Sequence, residues 1–176
     1  MTNSQIPLPN PELFGIRQPL THRLYDRVQV EAVRVVVQNN LGQILTGVRK
    51  PSQTRPSQRG QKQLEFLGGK PDGDSYVCAA QREVSEEAGI EVFEVAYRGL
   101  IGMHTIPNTY REGKYAGALI VQHCVSAHHL AGAAAVSDEH KSVEWKHPDE
   151  IWSSDAFRAG THTALLLAGI PRTSKS

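Results

Sequence analysis

The chain has 176 residues, 39% of them hydrophobic, which is enough for one substantial core and gives no sign of a second. A formal net charge of +1 excludes a global pull toward nucleic acid or anionic membrane, and two cysteines, Cys78 and Cys124, are too few for a disulfide framework and read as reduced thiols. The apolar run at 164–170 is far short of a membrane span and no signal-like segment opens the chain, so a soluble cytoplasmic protein is expected.

Residues 1–27 are polar and carry Pro7, Pro9, Pro11 and Pro19, which predicts an extended arm ahead of a single domain at 28–176. The valine-rich stretch 28–37 begins with alternation and predicts a strand. Asn39-Asn40-Leu41-Gly42 supplies turn chemistry, and 43–48 is expected to return as its hairpin partner. The basic segment 49–62 holds Arg49, Lys50, Arg55, Arg59 and Lys62 without an acidic residue. Its Pro, Ser and Gln content reads as a solvated loop, and the functional alternative is that Arg55 and Arg59 reach a substrate's phosphates.

A short strand at 64–67 leads to a predicted helix at 75–88. Beyond it come a strand at 91–104, a loop at 105–114, strands at 115–126 and 143–146, and a closing helix at 155–168. Strands flanking one buried helix, with a second helix late in the chain, predict an α/β fold with a mixed sheet.

The helix at 75–88 carries the chemistry. At about 100° per residue, Glu83, Glu86 and Glu87 share an arc roughly 100° wide, next to an apolar stripe of Val77, Ala80, Val84 and Ala88. Carboxylates this close repel one another, so a cation should sit among them. A hard ion such as Mg²⁺ prefers oxygen and binds through one or two carboxylates plus substrate phosphates, so a diphosphate would complete the site. Arg82 stands four residues before Glu86 and can hold its rotamer, and Gly89 is placed for a left-handed C-cap.

Gly68, Asp74, Arg82-Glu83-Val84-Ser85-Glu86-Glu87 and Gly89-Ile90 recur at the offsets of the Nudix box, and the chain resembles a Nudix hydrolase. The resemblance covers roughly 28–152 and implies an α-β-α sandwich. It implies that Glu83, Glu86 and Glu87, with a backbone carbonyl of Gly68 or Gly69, hold Mg²⁺ or Mn²⁺, and that Lys70 contacts phosphate. Glu83, Glu139 and Arg82 form the expected catalytic set. Glu139 is chosen because Asp138-Glu139-His140 followed by Val143-Glu144-Trp145 looks like the family's loop acid before a strand ending in tryptophan; Glu83 is its rival as general base.

The family usually has Glu where this chain has Asp74, and its loop is one residue longer. A contact from position 74 to Arg82 or to a metal-bound water is therefore either lost or replaced by an N-cap role.

The implied reaction is hydrolysis of a nucleoside diphosphate linked to another moiety. Glu65-Phe66 ahead of Gly68-Gly69-Lys70 is similar to the MutT-like group and favours a nucleoside triphosphate. ADP-ribose or another nucleotide sugar is the runner-up, and a weakly active nucleotide sensor is the alternative from another class. The arm and final helix lie outside the resemblance and could serve a lid or a homodimer; neither nucleic acid nor membrane is an expected partner. Eight histidines show no zinc-ligand spacing, and adjacent His128 and His129 would diverge on a strand.

Overall fold

The computed structural model of the protein describes residues 28–50, 64–105, 117–157 and 160–173. Six strands form one mixed sheet: β1 (Gln29–Gln38), β2 (Ile44–Arg49), β3 (Leu64–Glu65), β4 (Glu91–Thr105), β5 (Leu119–Ala131) and β6 (His140–Lys146). The helices are α1 (Tyr76–Ala88), α2 (Pro148–Trp152) and α3 (Thr161–Leu167). β1 runs parallel to β5 along its whole length, from Gln29 opposite Leu119 to Gln38 opposite His128, and the remaining strand pairs are antiparallel.

The period-2 alternation of β1 explains the layering. Val33, Val35 and Val37 point to one face, where they join Leu45, Leu67, Ile90 and Val125 against Ala79, Ala80, Val84 and Ala88 of α1. Val36 points to the other face and packs with Ile44, Phe66 and Cys124 against Ile151, Ala164 and Leu165 of α2 and α3. Each fully buried Val or Leu contributes roughly 1.5–3 kcal/mol, so the two faces hold both layers in place. This is the expected α-β-α sandwich around a mixed sheet.

Several local expectations change. Val77 is only half-buried. In the first turn of α1 the inward contact belongs to Tyr76, whose ring stacks on His123 at 4.2 Å and on Tyr97 at 5.3 Å. The hairpin from β1 to β2 closes through Asn39 and Gln43 but pairs only at Gln38 and Ile44. β2 pairs instead with β6, from Ile44 opposite Lys146 to Arg49 opposite His140, and with β3. The strand edge that β1 thereby leaves open is taken by the segment after β3: Val35 donates to the Leu67 carbonyl at 2.9 Å and Val33 to the Gly69 carbonyl at 2.8 Å.

The single closing helix expected at 155–168 is not formed. Leu64 donates its backbone N–H to the Ala156 carbonyl at 3.0 Å and bridges Phe157, which holds a turn at 155–156 out of the helix, and Gly160 at φ 87° starts α3 only at Thr161. The short helix α2 was not anticipated, although His147 and Glu150 form a capping box there with Pro148 in the first turn. β5 runs to Ala131, five residues past its expected end at 126, because its partners β1 and β4 are both long. His128 and His129 do diverge, the first against Phe93 and the second against Trp145.

Candidate active site

The site grows from the two ends of α1. Ser75 caps its N-terminus by accepting from the Cys78 N–H at 3.1 Å, and Gly89, at φ 67°, closes its C-terminus by donating to the Ser85 carbonyl. The N-cap role therefore falls to Ser75 and not to Asp74. Asp74 keeps its contact with Arg82, its Oδ2 lying 3.5 Å from Nε, so the shorter side chain and shorter loop have not broken that link.

Arg82 does more than support Glu86. It lies 2.8 Å from Glu83 Oε1 and 3.5 Å from Glu86 Oε2, and it donates to the Lys70 carbonyl at 2.9 Å. One guanidinium thus ties the helix to the Gly69-Lys70-Pro71 turn. Its contacts with Asp74, Glu83, Glu86 and the turn all position those groups.

The three glutamates share one helix arc but not one environment. Glu87 is 7% exposed, and its Oε2 accepts the Gly68 N–H at 2.7 Å. Glu83 lies against Gly69 so closely that a Cβ on that glycine would overlap its carboxylate. Glu86 is 61% exposed and faces Arg82. No three acidic, histidine or cysteine side chains converge as a ready-made metal cage among the described residues.

Burial raises the Glu87 carboxyl to about 7, against the lowering effect of the Gly68 N–H and of His140, with Glu139 and Glu83 adding repulsion. Burial also pushes the Glu83 carboxyl up, opposed by Arg82. Two hard oxygen donors held at an energetic disadvantage while charged are a fitting donor set for a divalent cation. The Gly69 carbonyl already accepts from Val33, which leaves it one lone pair.

A pH dependence follows. Between the unfolded carboxyl's value of about 4.3 and the folded value of about 7, the folded metal-free protein keeps a proton on Glu87 that the unfolded chain has released. Metal-free stability should therefore fall as pH rises from 5 to 8, by on the order of 2 kcal/mol. Thermal unfolding with and without Mg²⁺ checks this: saturating Mg²⁺ should flatten the decline, and a flat metal-free profile would refute the raised Glu87 value.

Around these carboxylates the fold gathers residues from distant parts of the chain. Glu139, on the β5–β6 connection, is 57% exposed and pairs with Arg49 at 3.0 Å. The same Arg49 donates to Glu65 at 3.0 Å. Glu65 is 2% exposed, and His140 Nε2 lies 3.5 Å from its Oε1. Arg34, Glu65, Phe66, Ile101, Gln122 and neighbouring residues of α3 line a small cleft of about 20 Å³.

Of the residues expected from sequence, Glu83, Glu86, Glu87, Arg82, Gly68, Gly69 and Lys70 lie on one helix and its adjoining turn, and Glu139 stands near enough to perturb Glu83 and Glu87. Arg55 and Arg59 lie outside the described residues. Arg49, Glu65 and His140 were not anticipated as a group. A signal existed in Glu65, a carboxylate within the apolar run from Leu64 to Leu67, because a buried charge demands a partner.

Comparison with known proteins gives a consistent family. Residues 28–166 match the NUDIX domain. Among solved structures, the chain is similar to a MutT NUDIX hydrolase from Burkholderia pseudomallei, with 22% identity, 79% of this chain and 97% of that one covered, and a TM-score of 0.58. It is similar to the ORF135 protein of E. coli at 24% identity, covering 82% and 89% of the two chains with a TM-score of 0.54. A mutator MutT protein from Bacillus halodurans aligns at 26% identity over 69% of this chain and 71% of that one, with a TM-score of 0.52. No curated relative matches the chain.

Proposed function

This chain belongs to the NUDIX domain family, and on that premise we propose that it hydrolyses nucleoside triphosphates to a nucleoside monophosphate and pyrophosphate. The observation that carries this reading is the placement of Glu87 and Glu83 against the Gly68-Gly69 turn, with Glu139 beside them. It is a compact set of oxygen donors of the kind a diphosphate and its cation require.

Glu83, Glu86 and Glu87, with the Gly68 or Gly69 carbonyl, would hold Mg²⁺ or Mn²⁺. When bound, the ion lowers the pKa of a coordinated water and neutralises charge developing on phosphoryl oxygens. The protein's own part is to orient and to accept a proton. Glu139, reaching from its loop, takes the proton of the attacking water as the new bond from water oxygen to phosphorus forms and the bridging phosphorus–oxygen bond breaks toward pyrophosphate. Arg82 fixes Glu83 and the Lys70 main chain, and the Lys70 ammonium would contact a phosphate from that turn.

The preference for a triphosphate is supported by the Leu64-Glu65-Phe66 and Gly68-Gly69-Lys70 sequence and by the MutT names of structural neighbours. The Asp74–Arg82 contact, kept despite the shorter side chain and loop, supports hydrolysis over the sensor alternative. A panel of nucleoside triphosphates, ADP-ribose and nucleotide sugars, assayed with Mg²⁺ and with product identification, tests the reading. Pyrophosphate and monophosphate from a triphosphate are expected. Orthophosphate release, or turnover confined to ADP-ribose, would overturn it.

A further inference from the structure

We infer that Glu65 is a positioning residue that acts through the guanidinium of Arg49 to fix the carboxylate of Glu139 beside the carboxylates of α1. The inference rests on the role given to Glu139 above and adds a residue buried beneath it.

A carboxylate 2% exposed is costly to keep charged, and it persists only when basic groups surround it. Among the described residues, Arg49, His140 and Arg34 do. Arg49 Nη1 lies 3.0 Å from Oε1, His140 Nε2 3.5 Å from Oε1, and Arg34 Nη1 3.8 Å from Oε2. The strand beside it is shaped for this arrangement: Gly47, directly opposite Glu65 in the β2–β3 register, leaves room for the His140 ring, which any Cβ at that position would overlap.

Arg49 is a two-armed connector. One arm is anchored on buried Glu65, and the other, Nη2, donates to Glu139 Oε2 at 3.0 Å. An exposed ion pair ordinarily contributes about 0–1 kcal/mol, because both long side chains must be ordered to make it. Here the arginine is already ordered from below, and its planar fork sets the direction of the second arm.

The loop backbone is held at the same point. Lys50 donates its N–H to the Glu139 carbonyl at 2.9 Å and its Nζ to the Ser137 carbonyl at 3.2 Å, and the Glu139 N–H donates to Ser137 Oγ at 3.3 Å. The end of β2 therefore grips Glu139 by main chain and by side chain. Of these grips, the side-chain one depends on Glu65.

The experiment is a double-mutant cycle on kcat with a nucleoside triphosphate and Mg²⁺, using Glu65→Gln, Glu139→Gln and the pair. Glu65→Gln is expected to lower kcat about tenfold with KM little changed, as for a displaced reacting group, and to cause no further loss when Glu139 is already Gln. Losses that multiply in the double variant, or a Glu65→Gln effect confined to KM, overturn the inference. Arg49→Lys keeps the charge but not the fork. It is expected to repeat the loss and the same non-additivity, and it serves if Glu65→Gln does not fold.

A readout independent of turnover is the side-chain ¹⁵N spectrum of Arg49 in the metal-free protein. Separate Nη resonances are expected in the parent and averaged ones in Glu65→Gln; averaging already in the parent overturns the positioning role. A parent that hydrolyses no nucleotide would refute the proposed reaction while this spectrum still decides the role of Glu65.

Discussion

Glu87→Gln is expected to reduce kcat/KM by at least about two orders of magnitude, the scale of losing one strong preorganised electrostatic contact. The structure makes the substitution informative because Gln is nearly isosteric and its amide oxygen can still accept the Gly68 N–H. Burial holds the Glu87 carboxyl at a raised value, so removing the charge should leave metal-free stability unchanged or higher above pH 7. Loss of activity with stability kept separates a role at the ion from a role in the fold. Glu86→Gln is the companion: its carboxylate is exposed and pairs only loosely with Arg82 at 3.5 Å, so stability should move by less than about 0.5 kcal/mol. Steady-state kinetics over a Mg²⁺ titration check both, and near-normal turnover by folded Glu87→Gln would sink the assignment.

The second large effect is expected from the paired glycines, and it should split in kind. Gly68 has φ 137°, and a Cβ there would run into the backbone carbonyl of Val33, a fully buried residue held in the β1–β5 ladder. Gly68→Ala should cost at least about 2 kcal/mol and lower the melting temperature by several degrees. At Gly69 the three nearest atoms in the way all belong to the Glu83 carboxylate, the far end of a flexible side chain. Gly69→Ala should therefore fold with little change in melting temperature while displacing Glu83 and lowering kcat about a hundredfold, since misplacing a group by about 1 Å costs that much. Thermal melts and kinetics of the two variants test this. Equal destabilisation of both, or an active Gly69→Ala, would show that the turn is not what seats Glu83.

The helix-borne half of the site was legible in the sequence because its geometry is local. A helix repeats about every 3.6 residues, so the spacing of Glu83, Glu86 and Glu87, the reach from Arg82 to Glu86 and the left-handed stop at Gly89 follow from position alone. The alternating valines of β1 likewise fixed which of its residues face α1. The non-helical 155–157 stretch could not be read this way, since it depends on a hydrogen bond from Leu64.

Tertiary structure alone decided how unlike the three glutamates are. Their burial depends on where the turn after β3 lies, and that turn is pinned to β1 because β2 leaves β1 after one residue pair to run along β6. It also decided that Arg49, placed by sequence in a solvated basic loop, joins Glu65 to Glu139 across 16 and 90 residues of chain. Periodicity carries information over a few turns of a helix or along one strand. Contacts between residues this far apart depend on which strand edges find each other, and that is settled only when the whole sheet closes over its core.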